Sequence, residues 1–161
     1  MKQIKAVDIN SIDFSPYGKV YNLRDGGPGV NRSSGDGWTD GYTASSILDT
    51  PGSLGNTLGT GTPFSATEME RHFHSQEALF AMDEPIVFLV APPTKESAPS
   101  IKSLQAVIVL PGTVAVLNRM VWHSSAHGLA KPCYYFWHCQ VVEHEPTEWK
   151  EIFEGTVEVI V

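Results

Sequence analysis

The segment Arg71-His72-Phe73-His74-Ser75-Gln76-Glu77 reads H-x-H-x-x-E. Side chains alternate along an extended strand with a period of two, so His72 and His74 share a face. Two imidazoles on one face can bind one metal ion. Glu77 falls on the opposite face of a straight strand, and joins them only where Ser75-Gln76 bends or bulges. Far along the chain, Trp122-His123-Ser124-Ser125-Ala126-His127 offers a third imidazole from another strand. A metal set of His72, His74, Glu77 and His123 suits a first-row divalent ion (Zn, Mn, Ni or Fe) with positions open for substrate. The bland alternative is a group of exposed or internally satisfied polar side chains.

The elements that must position these residues read as strands. Fourteen Gly and eleven Pro punctuate short runs rich in Val, Ile, Phe, Tyr and Thr, the pattern of an all-β sandwich or barrel. Strands are expected near Lys19–Leu23, Thr43–Leu48, Thr57–Gly59, Glu77–Met82, Ile86–Val90, Leu104–Leu110, Val114–Leu117, Cys133–Val142 and Thr156–Ile160. Ala78–Val90 reads as a hairpin turning at Asp83-Glu84-Pro85. Ser65-Ala66-Thr67-Glu68 fits a capping box, predicting a short helix from about Ala66 to Arg71; a second is expected over Glu148–Phe153. Asp25–Asp40 is Gly- and Ser-rich and reads as a loop, bordered by Trp38 and Tyr42, which either close over a ligand or pack on a second subunit. No repeat or linker divides residues 1–161, so one domain is expected.

Composition narrows the function. The 161 residues carry a net charge of -7, with 11 Lys and Arg against 18 Asp and Glu. The basic residues are scattered, which argues against nucleic acid and anionic membranes. No apolar run approaches the length of a bilayer span. MKQIKAVDIN lacks the pattern of a signal peptide, and Cys133 and Cys139 fit neither a zinc pair nor a disulfide framework. A reducing, cytoplasmic setting is the expectation.

Two sets of motifs resemble known families. The cupin signature has a first part, G-x5-H-x-H-x3,4-E-x6-G, and a second, G-x5-P-x-G-x2-H-x3-N. Gly112 to His127 follows the second in register, with Gly112 at the first glycine, Asn118 at the proline, Met120 at the second glycine, His123 at the histidine and His127 at the asparagine. The first part is matched with Ala66 and Glu84 at its glycines and with Glu77 one residue early. Phe14-Ser15-Pro16-Tyr17-Gly18-Lys19-Val20, then Glu70 to Ala81, then Val87-Phe88-Leu89-Val90-Ala91-Pro92, then Val114 to Ser125 resemble, in order, the phrases of the ureidoglycolate lyase family. Glu77 stands where that family has Gln, Leu117 where it has Tyr, and Ser125 where it has Pro.

The resemblance implies a single cupin-type β-barrel, a double-stranded β-helix or jelly roll, with one or two short helices. It implies a lyase that splits ureidoglycolate, a small polar carboxylate, into urea and glyoxylate. Glu77 or His127 is then the candidate acid or base. Arg119 is a candidate carboxylate grip or a surface ion-pair partner. Arg71 and Trp122 are either substrate contacts or structural residues. Another metal-dependent cupin (a sugar isomerase or dioxygenase) and a non-catalytic barrel binding a sugar or organic acid are the alternatives. Small cupins tend to pair, so a homodimer is expected.

Overall fold

Alternating apolar and polar residues between Gly and Pro breaks drive the chain into short strands. The computed structural model describes residues 2–144 and 147–161. In chain order the strands are β1 (Lys2–Lys5), β2 (Val7–Asp8), β3 (Gly18–Asn22), β4 (Val30–Gly35), β5 (Trp38–Thr43), β6 (Ser53–Gly59), β7 (Phe64–Ala66), β8 (Glu68–Arg71), β9 (Glu77–Ala81), β10 (Ile86–Ala91), β11 (Gln105–Val109), β12 (Thr113–Leu117), β13 (Trp122–His123), β14 (His127–Gly128), β15 (Cys133–Cys139), β16 (Glu148–Glu151) and β17 (Val157–Ile160).

One sheet runs β16-β8-β13-β10-β11-β2, with β14 also on β10, and a second runs β3-β12-β9-β15-β6. The chain passes from one sheet to the other between β2 and β3, β8 and β9, β9 and β10, β11 and β12, β12 and β13, β14 and β15, and β15 and β16. This is the all-β, cupin-type jelly roll. Phe88, Val90 and Val107 of the first sheet pack against Leu79, Ala115, Leu117 and Tyr135 of the second. A further sheet, β1-β17-β7, covers the outer face of the first, burying Val87, Leu89, Met69 and Trp122 against Phe64, Val157 and Val159. The first sheet is therefore apolar on both faces, and β10 is buried at every position.

Two signature positions have a backbone reason. Gly112 has φ +89° in the turn closed by Thr113 N donating to Leu110 O at 3.0 Å. Met120 has φ +68°, a left-handed conformation that L side chains rarely adopt. That conformation is why the cupin signature has glycine there.

Several local expectations are corrected. Residues 66–71 form no helix: burial alternates through β7 and β8, with Phe64, Ala66, Met69 and Arg71 buried. A capping box is worth about 1 kcal/mol, less than placing Met69 fully in a core. Glu148–Phe153 likewise carries strand β16, paired to β8. The helical turns of the described chain are two short 3-10 turns, Ile9–Ser11 and Ile101–Ser103. Ala78–Val90 is no hairpin, because β9 and β10 lie in facing sheets and meet through their side chains. Residues 25–40 contain most of a hairpin, β4 with β5. The expected strand over Thr43–Leu48 ends at Thr43, since Ile47 and Leu48 instead cover the outer face of the second sheet.

Candidate metal centre

Strand β8 turns Met69 and Arg71 outward, so Glu70 faces the space between the sheets. Its cross-strand partner is His123 on β13, which also pairs with the inward-facing Val90. His72 lies two residues beyond Glu70 and continues its alternation to the same side. Residues 72–76 then leave the strand. Ser75 Oγ fixes this bend, donating to Gln76 O at 2.5 Å and accepting from Gln140 N at 2.9 Å. The bend places Glu77 at the start of β9, opposite Leu117 and Cys139, with its side chain inward.

Glu77 Oε2 lies 2.8 Å from His72 Nε2 and 2.8 Å from His123 Nε2. Glu70 Oε1 is 3.6 Å from His123 Nε2. One donor atom from each of Glu70, His72, Glu77 and His123 falls within 4.8 Å of all the others. Both rings are held from behind. His123 Nδ1 donates to Val121 O at 3.2 Å, and His72 Nδ1 is 3.3 Å from Thr147 Oγ1. Such contacts fix a tautomer with Nε2 directed into the cluster. The buried His123 Nε2 has no acceptor aligned to hydrogen-bond it, so its approach to Glu77 is an ion-pair contact.

The electrostatics follow from this crowding. Burial opposes charge on Glu77, but His123 and then His72 outweigh it and hold the carboxyl at about 2. Burial likewise opposes charge on His123, and Glu77, with Glu70 behind it, lifts the imidazole to about 9. Burial raises the Glu70 carboxyl. The Cys139 thiol is pushed up to about 12, first by burial and then by Glu77 and Glu70, and stays protonated.

The donor set fits a divalent cation. Ligands about 2.1 Å from one metal and near right angles to each other lie about 3 Å apart, close to the observed nitrogen–oxygen separations. Two imidazoles and a carboxylate are a set used by first-row metals. The aimed but unaligned His123 Nε2 is the group that such an ion would satisfy. His72, Glu77 and His123 would hold the ion, with Glu70 at its edge.

The cluster opens into a cavity of about 290 Å³ walled by Thr57, Ser125, Tyr135, Trp137, Cys139 and Trp149. Among the described residues no Lys or Arg lines it.

The other residues singled out in the sequence lie elsewhere. His74 is exposed in the bend and outside the donor cluster; its carbonyl accepts from Arg119 Nε at 3.1 Å. The strand on which His72 and His74 were to alternate ends at Arg71, so the pair that alternates is Glu70 and His72. His127 pairs with Val87 on the opposite face of its sheet, stacked on Phe64 at 3.7 Å and bonded to Thr60 Oγ1 at 2.8 Å. Residues 124–126 between β13 and β14 break the parity with His123. Arg119 grips the Asp49 carboxylate with both terminal nitrogens, at 2.8 and 2.6 Å. Arg71 bonds Glu148 at 2.5 Å and lies over Trp122, 4.2 Å from the ring centroid. Trp122 is fully buried on the outer face of its sheet.

Glu70 is the residue that reading forward from His72 misses. Reading the same period of two backward finds it. Thr147, Tyr135 and Thr57 carry no comparable signal, because only the fold brings them to the cavity.

The family model described as ureidoglycolate lyase matches residues 1–159. The chain belongs to the ureidoglycolate lyase family. No curated protein sequence matches it. Among solved structures, it is similar to dTDP-4-dehydrorhamnose 3,5-epimerase from Elizabethkingia anophelis NUHP1, at 5% identity and TM-score 0.45 over 74% of this chain and 70% of that one. Within the family pattern, Glu77 in place of Gln adds the carboxylate on which both imidazoles of the cluster converge. No helix of the described chain is long and apolar enough to cross a membrane.

Proposed function

We propose that this chain is a metal-dependent C–N lyase that cleaves a small hydroxy-acid ureide, ureidoglycolate, to glyoxylate and urea. The observation that carries this reading is the convergence of His72 Nε2 and His123 Nε2 on Glu77 Oε2, in a cavity that no Lys or Arg among the described residues lines, in a chain of this family. Arg119 and Arg71 are occupied by Asp49 and Glu148, so neither offers an anchor for a carboxylate there. A bound metal supplies the positive charge for the substrate carboxylate and for the oxygen that becomes a carbonyl.

The cleavage removes the hydroxyl proton, forms the C=O bond, breaks the C–N bond and delivers a proton to the departing urea nitrogen. One group can take the first proton and return the second. Glu77, ionised down to about 2, is a poor base, and His127 faces away. Glu70 lies beside the cluster on the cavity wall, with its carboxyl raised by burial, and we assign the proton transfer to it. Trp137, Tyr135 and Trp149 are the flat walls against which a planar ureido group would lie.

Urea release from ureidoglycolate by protein loaded with Mn, Zn, Ni or Fe tests the reading. Glu70→Gln is expected to retain metal and lose at least 100-fold in kcat, the scale of general acid–base catalysis. Loaded protein that releases neither urea nor glyoxylate ends the lyase assignment. The His72, His123 and Glu77 triad also matches the set used by non-haem iron oxygenases. Oxygen uptake with Fe(II) and a small polar acid would favour that second reading.

A further inference from the structure

The metal-centre cavity is polar at its inner end and apolar at its outer end. Glu70, His72, Glu77 and His123 make the inner end, and Trp137, Cys139, Val141 and Trp149 make the outer one. Exposure marks the direction: His123 and Tyr135 are 2% and 5% exposed, Trp149 and Val141 42% and 62%. Strand geometry puts these side chains there. Trp137 and Cys139 follow Tyr135 on β15 with a period of two, so all three face the cavity. Val141 continues the series just past the end of β15. Trp149 stands on β16 opposite Glu70.

Hydrogen-bonding capacity falls along the same direction. The Tyr135 hydroxyl is bonded to the Thr57 hydroxyl and to the Ala126 backbone, and Thr147 Oγ1 is 3.3 Å from His72 Nδ1. None of the side chains of Trp137, Cys139, Val141 and Trp149 carries an oxygen, and an indole N–H donates without accepting. A ureide whose carboxylate lies at the metal centre has its distal nitrogen at the other end of the molecule, toward these side chains. An unsubstituted –NH2 there would give up water to side chains that offer it no oxygen acceptor, which is unfavourable. An apolar substituent on the same nitrogen would instead bury its surface.

The space agrees. The cavity of about 290 Å³ approaches the roughly 300–1,000 Å³ of pockets that hold drug-sized ligands, and ureidoglycolate is far smaller than such a ligand. Past Cys139, Val141 and Thr147 lies a second cleft of about 360 Å³, which shares these residues and adds Phe73 and Val142. Room for a substituent therefore continues beyond the rim.

We propose that the outer half of the cavity is a subsite for a flat apolar group on the distal ureido nitrogen, and that the preferred substrate is a ureidoglycolate carrying an aryl group there. The indoles of Trp137 and Trp149 supply the faces against which an aromatic ring packs. The inference rests on the lyase reading for the identity of the reacting end. Cleavage moves the same proton: it leaves the hydroxyl and reaches the departing nitrogen, the C–N bond breaks, and glyoxylate and the mono-substituted urea are released.

Calorimetric titration of the metal-loaded protein with oxalurate and with N′-phenyloxalurate tests the proposal. Both carry a carbonyl in place of the carbinol, so neither has a hydroxyl proton to lose and neither is cleaved by this route. The phenyl compound is expected to bind at least 10-fold tighter, the scale of burying one aromatic ring. Val141→Asn, a neutral change at an exposed position, is expected to cut that preference at least three-fold. It should leave the oxalurate dissociation constant within two-fold and the circular dichroism unchanged. A preference below 10-fold, a preference undiminished in Val141→Asn, or no binding of either compound overturns the proposal. Urea release from ureidoglycolate without this preference overturns the subsite alone. The preference without urea release supports the subsite and ends the lyase reading.

Discussion

In the metal-free protein, two imidazoles share one carboxylate oxygen, and this contact sets how stability varies with pH. His123 titrates at about 9 instead of 6.5, because Glu77 and Glu70 outweigh the burial that would lower it. A histidine whose pKa is higher in the folded state stabilises the fold fully below its unfolded value, and the stabilisation is lost as pH rises through the folded value. The window therefore runs from about 6.5 to about 9. The rise is worth about 3 kcal/mol. Glu77 provides the opposite limb: lowered from 4.5 to about 2, its contribution is full above about 4.5 and lost as pH falls to about 2. The two limbs describe one contact and are not added. The perturbation is to strip the protein with a chelator and titrate with urea between pH 6 and 9.5. With a urea slope of about 1–3 kcal/mol per molar, the midpoint should drop by about 1–3 M across the alkaline window. Glu77→Gln should abolish this drop. Saturating divalent metal should also flatten it, because the metal takes the place of the His123 proton and binds more tightly as that proton leaves. A metal-free midpoint that is flat from pH 6.5 to 9.5, or a drop that persists in Glu77→Gln, would refute the contact as its origin.

Three further outcomes separate the geometry from the pattern of residues alone. After dialysis, His72→Ala and His123→Ala should lose metal by at least 10-fold in affinity while His74→Ala retains it, as read by elemental analysis. Arg119→Ala should leave kcat and KM within two-fold of wild type, because its guanidinium holds Asp49 and the His74 carbonyl outside the cavity; a large rise in KM would return Arg119 to substrate binding. Met120→Gly should stabilise the fold by about 0.5–1 kcal/mol, since the left-handed backbone costs an L residue about 1–2 kcal/mol and glycine gives part of that back in chain entropy. A thermal midpoint raised by about 1–4 °C would register it.

Where the sequence was legible, and where it was not, has one physical cause: a period of two holds only while a strand continues. β10, β12 and β15 are runs of β-branched and aromatic residues, and their bounds are read from sequence to within three residues. The helix expected over residues 66–71 does not form, because the capping box is a local signal. It says nothing of Val157 and Val159, which arrive from about ninety residues away to cover Phe64 and Ala66. The hairpin expected at residues 83–85 failed for a related reason, since turn chemistry is the same whether the next strand pairs beside the last or faces it across the core.

The candidate site shows the same division. Glu77 reaches His72 because Ser75 bends the chain, a condition stated by the alternation itself. His74 follows from a period of two extended past the end of a strand, and His127 from its offset to His123 in the signature: β8 stops at Arg71, and residues 124–126 interrupt the run from His123. The two readings of Arg119, carboxylate grip and surface ion-pair partner, are not separable in sequence, since its acid Asp49 lies 70 residues away. The ends of strands, rather than their interiors, therefore decide which histidines can meet. The same terminus that removes His74 from the cluster leaves Glu70, on β8, and His72, one residue past its end, as the last alternating pair, and so brings a second carboxylate to a centre where the spacing H-x-H-x-x-E promises only one.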